Sequence, residues 1–303
     1  MIAVLENTMS RMSMMLLLSV ACGCSGQYIL TVPEQVVPVG GQVVMVARMQ
    51  QEEFTGYRPA VRDIALQCRV ANGPLRCAYT DRLGYAAAAL PAPPAPGRYH
   101  VTVTHIDKDG REVTTFTPLY VWDKDAPVVA VDLDAFLTRS SPQGAKGDAA
   151  KSVRKALAII QRRANIVYMT QRPIREHAFL HDGLASGEFP DGPILSWQRE
   201  FFENRHKTTT GALDIFAVED RLVSQLPGLK KTFPNLRMGI TDSPVAARSM
   251  LAEGLKVVYV GQEGPLSPKV SPEVRRSSWS ELAADGSGDA ATETTAGNEA
   301  IRQ

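Results

Sequence analysis

The 303-residue chain reads as two domains meeting near residue 125. The first is an immunoglobulin-like β-sandwich; the second is an α/β three-layer, Rossmann-like domain on a parallel sheet. Three observations predict this. Residues 27–124 hold short alternating segments between Gly/Pro turns, with no long helical period. Beyond residue 125, continuous apolar runs alternate with amphipathic stretches. Finally, 44% hydrophobic and 21% charged residues give a globular composition with enough apolar surface for two cores.

The first 24 residues stand apart. One arginine precedes the apolar run Met12–Ala21, and small residues and cysteines follow in "ACGC". The run is too short to span a bilayer and reads as an export signal, starting at Met1, Met9 or Met12. Small residues precede both Cys22 and Cys24, so either suits lipidation in a bacterial lipobox. The expectation is an exported protein of the bacterial cell envelope, lipid-anchored in the periplasm, with an ordinary cleaved signal, or a start placed too early on a cytoplasmic protein, as the alternatives.

In the β domain, "YILTVPEQVVPVGGQVVMVARM" supplies β-branched strands around a Pro-Val-Gly-Gly turn. "VRDIALQCRV" and "LRCAYTD" flank the turn "ANGP", a hairpin that would bring Cys68 and Cys77 face to face. In an oxidising compartment they would form a disulfide; two buried thiols are the alternative. "ALPAPPAPG" reads as a stiff loop. "GRYHVTVTHIDKDGREVTTFTPLYV" is a hairpin turning at Asp107–Gly110, with Tyr99, Val101 and Val103 on its apolar face. No chemical constellation appears here; His100 and His105 are isolated. A spacer, a partner-docking module or a wall over a neighbouring site are the roles left.

In the α/β domain (125–263), the apolar runs are "VVAVDL", "NIVYMT", "GPILSW", "LRMGIT" and "LKVVYVG". The helix "AAKSVRKALAIIQRRA" puts Val153, Ala156, Leu157 and Ile160 on one face. A later one, "TTTGALDIFAVEDRLVSQL", repeats Leu213, Phe216, Ala217 and Leu222 behind threonine caps. Residues 264–303 are Pro-rich, then small and polar, and are expected to be a disordered tail with Trp279 as an anchor.

Ligands of open parallel sheets gather at the strands' carboxyl ends. Asp132 and Asp134 end the first such strand, close enough together to share a divalent cation or to divide nucleophile and proton-shuttle roles. Thr170 ends the second. Lys207 precedes the capped helix, where a cation and free N–H groups would bind an anion. Gly239, Thr241 and Asp242 end a further strand. Arg172 either touches phosphate or lies on the surface at a helix start, and His206 neighbours the Lys207 loop. A net charge of +1 and scattered basic residues argue against nucleic acid. With no GxGxxG or Walker loop, no nucleotide cofactor is implied.

In that order, "DLDAFLT", "YMT", Lys207 and "GITDSP" resemble the four motifs of the haloacid dehalogenase (HAD)-type phosphatases. More narrowly, "VDLDAFLTRSS", "VYMTQRPIREHAFLHDGL", "FPDGPILSW" and "RHKTTTGALD" resemble the lipin-like domain of phosphatidate phosphatases and phosphatidylinositol-transfer proteins. The resemblance runs from about Pro127 to Gly261. It implies a HAD-like fold without a large cap and a Mg²⁺-dependent phosphomonoester hydrolase. Asp132 would be the nucleophile and Asp134 the acid/base. Thr170, Lys207 and Arg172 would hold the phosphoryl group, and Asp132, Asp134 and Asp242 the metal. Two positions depart from the pattern: Ala135 replaces the usual glycine, and Ile240 and Pro244 occupy positions usually acidic. If Asp242 does not compensate, the resemblance implies instead a degenerate domain that binds phosphorylated ligands without turnover. The short connections imply an open site, suited to a lipid headgroup such as that of phosphatidate or to another bulky partner, or else lidded by the β domain.

Overall fold

The computed structural model describes residues 27–53, 57–137, 148–196, 225–260 and 274–284. Cys22, Cys24, His206, Lys207 and the helix expected around Leu213–Leu222 fall outside them.

The β domain has eight strands: β1 (Gln27–Thr31), β2 (Gln35–Pro38), β3 (Gln42–Glu52), β4 (Ala65–Val70), β5 (Arg76–Tyr79), β6 (Tyr85–Pro91), β7 (Gly97–Ile106) and β8 (Glu112–Trp122). They form two sheets, ordered β1-β3-β6 and β2-β8-β7-β4-β5. All pairings are antiparallel except β2 with β8. Alternate residues of both sheets, among them Val43, Met45, Leu66, Val101, Val103 and Leu119, share one apolar core. The β7–β8 hairpin turns where expected. Gly110 takes a positive φ of 78°, and the Asp107 carboxylate accepts the Asp109 and Arg111 N–H groups.

The expected disulfide is not present: Cys68 and Cys77 are both free. The β4–β5 hairpin does form, but Cys77 pairs with Gln67 while Cys68 pairs with Arg76. A register offset of one residue sends the two sulfurs to opposite faces of the sheet. Cys68 is buried in the core and Cys77 is exposed.

The second domain contains β9 (Val128–Asp132), α1 (Asp148–Gln161), β10 (Asn165–Thr170), α2 (His177–Ser186), β11 (Ile194–Ser196), α3 (Leu226–Thr232), β12 (Leu236–Thr241), α4 (Pro244–Ala252), β13 (Lys256–Tyr259), β14 (Val274–Arg276) and α5 (Trp279–Ala284). The strands make one parallel sheet ordered β11-β10-β9-β12-β13-β14. Every residue of β9 is buried, as a central strand covered on both faces requires. Val128 and Ala130 join the core that includes α3 and α4, while Val129 and Val131 join the core that includes α1 and α2.

The expected tail boundary at residue 264 is corrected. β14 adds a sixth parallel strand beside β13. After it, α5 packs Trp279 and Leu282 onto the core that holds Val153 and Leu157 of α1. The Trp279 ring meets Phe136 edge-on at 5.9 Å. The stretch is polar on average, yet a few apolar residues at the right spacing suffice when a preformed face receives them.

The two domains are docked along the β11 edge. Tyr120 and Trp122, at the end of β8, belong to the α/β core, and Trp122 packs on Phe233. Buried Glu34 accepts the Ile194 N–H at 2.9 Å and His181 Nε2 at 2.6 Å. Asp191 accepts from the Tyr120 hydroxyl and from Arg98. An edge-strand backbone donor is thereby satisfied by a side chain of the other domain.

Candidate active site

From β9 the chain proceeds to β10 and β11 on one side, then to β12, β13 and β14 on the other. The sheet therefore has its topological switch point at β9, and the polar residues gather at the carboxyl ends there. Asp132 closes β9 and caps the 3₁₀ turn Leu133–Ala135, its Oδ1 accepting the Asp134 N–H at 3.2 Å. Its Oδ2 accepts the Thr241 hydroxyl from the end of β12 at 2.6 Å. Both carboxylate oxygens are held, which fixes the plane of the group. Ala135, which stands where the motif usually has glycine, is not among the residues with positive φ. A Cβ is tolerated there without strain.

Asp132 is 3% exposed. Burial is the main cause that pushes its pKa from 3.8 up to about 7; the Thr241 hydrogen bond opposes this, and the charges of Asp134 and Asp242 add to it. Its neighbourhood carries an excess of negative charge.

Asp134 turns the other way, to the β10 side. Its carboxylate accepts from Thr170 Oγ1 at 3.0 and 3.1 Å, from the Gln171 N–H at 2.8 Å and from Arg172 Nε at 3.1 Å. Thr170 and Arg172 were expected to face a phosphoryl group. Instead, the fully buried Thr170 hydroxyl and the Arg172 guanidinium, 5% exposed, both address Asp134. Arg172 also donates to the Leu137 carbonyl. It is not a surface residue, because two acceptors on the 133–137 turn draw its arms inward.

"GITDSP", the segment that resembles the fourth motif, leads from β12 into helix α4. Ser243 accepts the Ala246 N–H as N-cap, and Pro244 occupies the first turn, where its missing N–H costs no hydrogen bond. Ile240 is fully buried in the apolar core. Only Asp242 remains as an acid of this motif. It is exposed at the surface, and partial burial of its carboxyl, then the Asp134 charge, raise its pKa. Among the described residues, no set of three or more His, Cys, Asp or Glu side chains gathers closely enough to hold a metal ion by itself.

Sequence reasoning brought Asp132, Asp134, Thr170, Thr241 and Asp242 to one edge. It missed Arg172's orientation and the interdomain role of Glu34. The only signal for Glu34 was a carboxylate lodged between Pro33 and the apolar strand β2.

No protein family and no curated protein matches the chain. Among solved structures it is similar to the tandem Ig repeats of Dlar, at 11% identity and a TM-score of 0.24, covering 36% of this chain and 59% of that one. The fibronectin(III)-like modules of Clostridium thermocellum CbhA match at 16% identity and a TM-score of 0.22, over 34% and 56% respectively. The PmoD soluble domain from Methylocystis sp. matches at 15% and 0.22, over 33% and 98%. The chain thus spans less than two thirds of the first two structures' length. At these TM-scores the likenesses bear on neither site nor function.

Proposed function

We propose that the α/β domain is a HAD-like, Mg²⁺-dependent phosphomonoester hydrolase working through an aspartyl-phosphate. The observation that carries this reading is the pair Asp132 and Asp134 at the switch point, flanked by Thr170 and Thr241 from both neighbouring strands.

A divalent cation would draw on few protein donors here: no three His, Cys, Asp or Glu side chains gather among the described residues, but Mg²⁺ is commonly held by one or two carboxylates plus substrate phosphate, and buried Asp132 feels the charges of Asp134 and Asp242. Asp132, the Asp134 backbone carbonyl and Asp242 would hold it. Bound there, the cation would keep Asp132 ionised at neutral pH and screen it from the phosphate dianion.

In the first step an Asp132 oxygen bonds to phosphorus while the bond to the leaving alcohol breaks, and Asp134 as general acid passes a proton to that oxygen. In the second, water attacks phosphorus, Asp134 takes the proton, and the Asp132–phosphorus bond breaks to free phosphate. Thr241 and the Asp134 N–H hold the nucleophile's orientation throughout, and Lys207 is assigned to the phosphoryl oxygens. The sequence phrases shared with lipin-like domains favour a lipid phosphate such as phosphatidate as substrate. The N-terminal signal with Cys22 or Cys24 suits an envelope location near a membrane.

The test is phosphate release from a panel of phosphomonoesters including phosphatidate, with Mg²⁺ or EDTA, by wild type and Asp132→Asn. Mg²⁺-dependent release that falls at least about 10³-fold in D132N is expected. Equal release by the two proteins refutes the reading. One observation favours a second reading, phosphate-ligand binding without turnover: buried Ile240 and helix-starting Pro244 leave the fourth motif with Asp242 alone. Saturable binding of a phosphomonoester by wild type, with no release, would select it.

A further inference from the structure

We propose that Arg172 is the positioning residue of the acid/base: it acts through Asp134 rather than on the phosphoryl group. This rests on the phosphatase reading and assigns within it a role that the motif order alone does not.

The geometry is specific. The guanidinium lies in the protein interior with Nε on Asp134 Oδ1 at 3.1 Å and a second arm on the Leu137 carbonyl. The Arg172 N–H donates to Thr170 Oγ1 at 3.1 Å, and that hydroxyl in turn donates to both Asp134 oxygens. One residue thus ties the end of β10 to the turn after β9 through its main chain and its side chain. Asp134 is about 30% exposed on its side chain, so one side faces the open carboxyl edge while the other rests on Arg172.

An exposed aspartate on a short turn would sample several rotamers. Together with the Thr170 hydroxyl and the Gln171 N–H, a planar, permanently charged fork anchored at a second point holds the carboxylate in one of them. A proton donor must stand within hydrogen-bond reach of the leaving oxygen, and a misplacement of about 1 Å costs on the order of 100-fold. Lysine supplies the charge but not the fork. Its three donors sit on one nitrogen at the end of a flexible stem, so the fixed two-point geometry across Asp134 and the Leu137 carbonyl is lost.

The consequence is selective. Hydrolysis of an alkyl phosphate needs the leaving alkoxide to be protonated as its bond breaks. A 4-nitrophenolate leaves with little help. Loss of Asp134 positioning therefore weighs on alkyl phosphates. Loss of phosphoryl binding, or of folded protein, weighs on both substrates alike.

The experiment compares wild type, Arg172→Lys and Arg172→Gln with glycerol 3-phosphate and 4-nitrophenyl phosphate, in Mg²⁺, at one pH. The quantity read is the ratio of kcat/KM for the two substrates, which is independent of the fraction of folded enzyme. In R172Q the ratio of alkyl to aryl turnover is expected to fall about 10- to 100-fold, within the usual range for general acid catalysis, and R172K to recover part of it. An unchanged ratio in R172Q, with both substrates slowed alike, overturns the assignment and returns Arg172 to phosphate binding or folding. The parent reading fails separately: it falls if Asp132→Asn releases phosphate from 4-nitrophenyl phosphate as fast as wild type, and the Arg172 assignment falls with it.

Discussion

Asp132→Asn is expected to stabilise the protein, and the gain should grow with pH. The ordinary pKa of 3.8 describes Asp132 in the unfolded chain, while burial lifts it to about 7 in the folded one. The folded state therefore binds the proton more tightly, and the unfolded state loses it first as pH rises. Below 3.8 the group is neutral in both states and costs nothing. Between 3.8 and about 7 the unfolded chain ionises while the folded one does not, so stability falls with rising pH; above 7 the penalty levels off. Asp132 is almost fully buried, so solvent screening removes little. The penalty comes to roughly 2 kcal/mol at pH 5 and roughly 4 kcal/mol at pH 8, as order-of-magnitude figures. The amide carries no charge and can still accept the Asp134 N–H. Urea denaturation of wild type and D132N at pH 5 and pH 8, in EDTA, reads the difference directly, and groups common to both proteins cancel. Adding Mg²⁺ at pH 8 should raise wild-type stability and leave D132N unmoved, a readout free of turnover. If D132N gains no more at pH 8 than at pH 5, Asp132 does not carry an uncompensated charge, and the cation argument fails with it.

Two further outcomes test the architecture. With maleimide applied to the folded protein, peptide mapping should find Cys77 modified and Cys68 protected until denaturant is added, because Cys68 is buried and its thiol is pushed up to about 12; a Cys68–Cys77 cross-linked peptide would refute the register. Glu34→Ala strands the Ile194 N–H and His181 at the domain junction and should lower stability by about 1–3 kcal/mol in urea titration, whereas an unchanged midpoint would deny the docking contact.

Much of this protein was legible in its sequence because the informative signals are local. Alternation along β7 and β8, the continuous apolar run of β9 and the amphipathic α1 each express one element's burial, which periodicity encodes directly. Asp132, Asp134, Thr170, Thr241 and Asp242 could be named in advance for the same reason: strand ends of a parallel sheet share one edge whatever the loops between them do.

What the tertiary structure decided depends on distances between residues remote in sequence. A one-residue choice of register at β4–β5 parts Cys68 from Cys77, and no turn signal specifies that choice. The seating of Trp279 on Phe136 draws β14 and α5 into the fold against the average polarity of their segment, because burial acts on individual side chains and not on mean composition. Arg172 turns inward because Asp134 and the Leu137 carbonyl lie within its reach, 38 and 35 positions away along the chain. The sequence determined which acids stand at the edge of the sheet. The packed structure decided that one is buried and crowded by like charge while the other is braced by an arginine, because burial and pairing are properties of the assembled neighbourhood.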